Sequence, residues 1–127
     1  MTRRDWTGLL IALAALAAMA AYRAVWVEPR EWGGLCAVAG RPLACEPRAL
    51  LLWLQHWQLW GGGALALGVW SFLGGPHAVR VAAVAFGMIA TINYNATWGM
   101  LGAALGAWAW LGATRRAQAG GPADSGR

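Results

Sequence analysis

Lysine is absent from this 127-residue sequence, and charged residues of any kind make up only 12% of it. Soluble domains carry about 25%, so an ordinary water-exposed surface is excluded. Disorder is excluded too, because 59% of the residues are hydrophobic and such a chain does not stay solvated. The length is that of about one domain, which rules out a two-domain enzyme. Acidic residues are few: Asp5, Glu28, Glu31, Glu46 and Asp124. No C-x-x-C pair, nucleophile elbow, glycine-rich phosphate loop or paired-histidine motif occurs. What is left is a small membrane protein, rich in glycine (18) and tryptophan (10).

The apolar residues fall into runs of membrane length. Residues 7–27 contain one charge, Arg23, and at about 1.5 Å per residue they cover the roughly 30 Å of bilayer hydrocarbon. Residues 28–48 are polar, with three prolines and both cysteines, and read as an extramembrane loop. A second span is expected over 49–73, interrupted only by Gln55, His56, Gln58 and Ser71. Residues 79–113 hold a single charge, Arg80, and are too long for one helix. Asn93, Tyr94 and Asn95 supply turn formers and capping side chains in the middle, so two helices are expected, over 76–93 and 97–114, with Pro76 in the first turn of the former. The predicted fold is therefore all-α, an integral membrane bundle of four transmembrane helices in one domain over 1–116, with a disordered cytoplasmic tail over 117–127.

Arg3 and Arg4, the apolar stretch from Leu9 to Ala17 and the small residues after it also have the order of a cleavable signal peptide, which would leave three spans. Against cleavage, the apolar character continues through Val25, Trp26 and Val27. Arginine placement sets the direction: Arg3, Arg4, Arg80, Arg115 and Arg116 flank ends that the positive-inside bias puts in the cytoplasm. Both termini are then cytoplasmic, and the loop with Cys36 and Cys45 is periplasmic in a bacterial inner membrane. That compartment is oxidising, so the two cysteines are expected to form a structural disulfide. Alanine and arginine richness without lysine suggests a bacterial genome of high GC content.

In the same leaflet, Arg23, Gln55, His56, Gln58, Asn93, Tyr94 and Asn95 form the candidate ligand-binding cluster, roofed by the disulfide loop. Stepping 100° per residue along the second span puts Gln55, Leu59, Gly62 and Ala66 on one stripe with Gly63 and His56 at its edge, a face suited to packing. Gly99, Gly102 and Gly106 offer a similar face in the last helix. Trp108 and Trp110 read as interfacial anchors. His56 is the ionisable group within a span, a ligand or proton carrier by default. A haem or zinc site would need further ligands, and His77 belongs to the opposite end. No catalytic or metal site is expected and no cofactor is predicted, haem or quinone being the ones His56 could serve.

The small proton-coupled multidrug exporters depend on a buried glutamate, which the spans lack, and the motifs identify no family. The expected function is that of a non-enzymatic accessory, scaffold or assembly subunit of a larger membrane complex. The alternatives are a small ligand-handling protein for a lipid, quinone or anion at the His56 cluster, and a homo-oligomeric transporter. Expected partners are the lipid bilayer and other membrane subunits or further copies of the chain. The net charge of +5 and pI near 10.6 do not imply nucleic acid, because the arginines flank spans and form no basic face.

Overall fold

The computed structural model describes residues 2–37, 43 and 45–120. Among them the chain forms six α-helices and no strand: α1 (Arg3–Tyr22), α2 (Arg30–Cys36), α3 (Cys45–His56), α4 (Leu59–Phe72), α5 (His77–Ile92) and α6 (Ala96–Gly120). Helix α1 starts at a capping box. The Thr2 hydroxyl accepts the Asp5 backbone N–H at 3.3 Å and the Asp5 carboxylate accepts the Thr2 N–H at 3.0 Å, satisfying two donors that a helix start leaves open. At its other end α1 widens without a break into a π-helical turn, Arg23–Val27.

The segment Arg3–Val27 is the one helix among the described residues that is long and apolar enough to cross a membrane; α4 and α5 are apolar but shorter. Residues 49–73 do not form the continuous helix expected of them. Helix α3 stops at His56, Gln58 takes a left-handed backbone (φ 55°), and α4 restarts at Leu59. Three glycines just beyond the break, Gly61 to Gly63, weaken any helix drawn through it. Asn95 bridges the break: its side chain donates to the Gln55 carbonyl (3.3 Å), which also accepts the Gln58 N–H (3.1 Å), and accepts the Gly61 N–H (3.2 Å).

Two further boundaries move. The stretch 28–48 is not wholly loop, since it contains α2 and gives its last residues to α3. Residues 117–120 continue α6 instead of opening a disordered tail, and 121–127 lie outside the described residues. The disulfide joins Cys36 to Cys45, the end of α2 to the start of α3. Between α4 and α5 the chain turns at Gly74 (φ 105°), Gly75 and Pro76, with Pro76 as the N-cap of α5. Between α5 and α6 it turns at Asn93, Tyr94 and Asn95.

Helices α4, α5 and α6 pack against one another, and α1 lies along α5. Contact is backbone-close. Gly102 sits on the Ala64 backbone, where a Cβ would collide, and a Cβ on Gly99 or Gly106 would come within 2.6 Å of Ala90 or Ala83 on α5. Gly62, by contrast, is exposed with nothing within 4 Å, and Gly63 meets only the Phe86 ring at 3.8 Å. The packing face of α4 is carried instead by Gly61, Ala64 and Gly68. The reason is the break: a 100° projection from Gln55 to Gly62 assumes a register that the left-handed residue at 58 resets.

Polar groups are buried while many large apolar side chains are exposed. The interior mixes small residues (Ala12, Ala64, Ala83, Ala90) and larger apolar ones (Leu51, Val79, Val81, Ile89, Trp110) with the polar Asp5, Arg23, Ser71, Asn93 and Asn95. Large apolar side chains, Leu10, Ile11, Trp70, Phe72, Met100 and Trp108 among them, face outward.

Candidate functional site

Arg23 organises the end of the bundle where α1 finishes. Its side chain is 5% exposed, and it donates from Nη1 to Asn93 Oδ1 at 2.6 Å and to Gln55 Oε1 at 3.2 Å. From Nη2 it donates to Glu28 Oε1 at 2.9 Å, an ion pair. The Tyr94 ring stacks on it, 5.1 Å from Cζ to the ring centroid, a cation–π contact. The pairing with Glu28 follows from the π turn. Its i→i+5 hydrogen bond, from the Glu28 N–H to the Arg23 carbonyl (2.8 Å), stacks residue 28 above residue 23 where an α-helix would stack 26 or 27.

Asn93 and Asn95 come in from the α5–α6 turn. Asn93 is fully buried; its Nδ2 donates to the Ile89 carbonyl (3.0 Å), which leaves its oxygen aimed at Arg23. Asn95 reaches across to the α3–α4 break, as described above, and also donates to the Asn93 carbonyl at 3.3 Å. Tyr94, between them, has a left-handed backbone (φ 60°) and is mostly exposed. Arg48, from the first turns of α3, donates to the Trp26 carbonyl at 3.1 Å and so caps the π turn.

Of the seven residues expected to cluster, the structure brings together Arg23, Gln55, Asn93, Tyr94 and Asn95. It leaves out His56 and Gln58. Both are exposed; the His56 ring contacts Trp57 at 5.5 Å, and Gln58 takes part through its backbone only. Their exclusion follows from the same break, since α3 ends at His56 and the chain reverses its register before α4. Sequence reasoning missed Glu28 and Arg48. The signal for Glu28 was an acid five residues beyond an arginine, meaningful only once a π turn is known.

A second polar cluster closes the other end. Asp5 is buried, its Oδ1 accepts the Trp110 indole N–H at 2.8 Å, and Oδ2 accepts the Thr2 hydroxyl at 3.0 Å. His77 Nδ1 lies 4.0 Å from Asp5 Oδ1, and its ring meets Trp110 edge-on at 5.5 Å. Trp110, 7% exposed, is therefore an interior residue and not an interfacial anchor, whereas Trp108 is 73% exposed. Nothing in the spacing of residues 5, 77 and 110 announced this meeting of three helices.

Chemically, the Arg23 guanidinium is paired within the chain, while Glu28 and Tyr94 are largely exposed. Glu28 balances the guanidinium charge, and the amide oxygens of Gln55, Asn93 and Asn95 are each engaged within the chain. Among the described residues no three His, Cys, Asp or Glu side chains lie close enough to share a metal ion. No family model matches the chain, and no curated protein or solved structure matches it.

Proposed function

We propose that the protein is a four-span integral membrane protein acting as a non-enzymatic accessory or assembly subunit of a larger membrane complex. Two features support the bilayer as its solvent. An exterior of large apolar side chains with Asp5, Arg23, Ser71, Asn93 and Asn95 buried is an arrangement that lipid favours, and backbone-close glycine contacts are the usual means of helix association there. The crossings are α1 with its π turn, α4 joined by part of α3, α5 and α6. Helices α4 and α5, of 14 and 16 residues, rise about 21 and 24 Å, short of a roughly 30 Å core, a mismatch relieved by local thinning of the bilayer. The arginine bias favours cytoplasmic termini, with the disulfide in the periplasm.

The observation that carries this reading is the pairing within the Arg23 network: its groups bond α1, the α3–α4 break and the α5–α6 turn to one another, a structural use of the polar side chains. It works as a clasp. The test is isolation from native membranes in a mild detergent. A partner protein in fixed stoichiometry is the expected result, and a stable lone monomer that retains no partner overturns the proposal.

A further inference from the structure

A groove of about 830 Å³ runs between α1 and α5, at the opposite end of α1 from the Arg23 clasp. Its walls are Thr7, Ile11 and Ala15 on one side and Ala78, Ala82 and Ile89 on the other. Arg3 and Arg4 stand at its mouth, both exposed. We propose that this groove holds an acyl chain of an anionic phospholipid from the cytoplasmic leaflet, with the lipid phosphate on Arg3 and Arg4. The proposal rests on the bilayer reading above.

Charge decides the occupant. Two arginines in the first turn oppose the dipole of their own helix, so an anion placed between their side chains is favoured. The nearby acid, Asp5, does not neutralise them from within the chain. Its carboxylate is turned inward onto Trp110 and Thr2. His77 lines the same mouth, and its Nε2 is buried without a hydrogen-bond partner. Basic pockets between helices on the cytoplasmic side are where acidic headgroups bind.

Shape points the same way. From Arg3 to Ala15 the helix axis rises about 18 Å, roughly one leaflet of hydrocarbon. Spread over that length, 830 Å³ is a mean cross-section of roughly 45 Å². A groove of that length and width accommodates an unbranched acyl chain laid along α1.

The experiment begins with alkaline carbonate extraction of membranes carrying the full-length protein, followed by detergent purification and native mass spectrometry with added lipid. Phosphatidylglycerol is compared with phosphatidylcholine of the same acyl chains. The wild type should favour phosphatidylglycerol by roughly 25-fold, about fivefold for each arginine. The Arg3→Gln, Arg4→Gln double variant should bind both lipids alike, and Ala82→Phe should lose both by filling the slot. Carbonate-resistant protein that binds the two lipids equally, or a double variant that keeps the preference, overturns the proposal while leaving the bilayer reading intact. Release by carbonate removes both. A photo-crosslinker at Ile11 that captures a protein in place of lipid also overturns it.

Discussion

Arg23 is buried with one acid and two amide oxygens as partners, and those partners differ in what they contribute. Asn93→Leu removes the 2.6 Å bond and leaves a desolvated guanidinium short of an acceptor, a loss of about 2–3 kcal/mol for a hydrogen bond to a charged group. Gln55→Leu removes the longer bond of 3.2 Å at a part-buried site and should cost about 1 kcal/mol. His56→Ala should change stability by no more than about 0.5 kcal/mol, as exposed positions do. Thermal unfolding of the three variants in one detergent checks the ranking, and a loss at His56 equal to that at Asn93 contradicts the geometry. At the other end, Trp110→Phe keeps the ring but deletes the donor to Asp5, leaving a buried carboxylate with less support. A loss of about 1.5–3 kcal/mol is expected by the same measurement.

At the scale of elements, stability depends on how closely α4, α5 and α6 approach. Gly102→Val places a branched side chain against the Ala64 backbone, which has no rotamer to yield, and should force α4 from α6 at a cost of about 3 kcal/mol or more. Gly62→Ala meets nothing and should be neutral or stabilising by up to about 1 kcal/mol through helix propensity. A pair of unfolding titrations separates these outcomes. Equal losses would mean that α4 runs through the break in the register of one continuous helix. The α5–α6 turn was legible because Asn93, Tyr94 and Asn95 are turn formers inside an otherwise unbroken apolar run. The α3–α4 break was not legible, because Gln58 is an ordinary helix former and the group that stabilises the interruption, the Asn95 side chain, comes from 37 positions further along.

The whole molecule is tied at one end by the Arg23 clasp with the Cys36–Cys45 bond, and at the other by Asp5 with Trp110. Cys36→Ser with Cys45→Ser should cost roughly 2–3 kcal/mol, as expected for releasing a loop of about ten residues. Reductant should lower the melting temperature of the wild type and leave the variant unchanged. Topology is checked in intact cells with a tag after Arg127, which should stay inaccessible from outside until the membrane is permeabilised. Labelling from outside would invert the map and move Arg3 and Arg4 to the wrong leaflet for the proposed lipid.

Composition and periodicity by themselves determined the all-helical class, the apolar runs, the Asn-Tyr-Asn turn and the pairing of the two cysteines, because each depends on local pattern or on there being one partner to choose. The meeting of Arg23 with Gln55, Asn93, Tyr94 and Asn95 was half legible, since the pattern put them at one end of the bundle without fixing their rotation. Tertiary structure alone decided the rest: that His56 and Gln58 turn away, that Gly61 and Gly68 pack where Gly62 does not, and that Asp5, His77 and Trp110 meet. Rotation about a helix axis is set by contacts from other helices. One left-handed residue or one π turn resets it, and neither leaves a mark in the hydrophobic pattern.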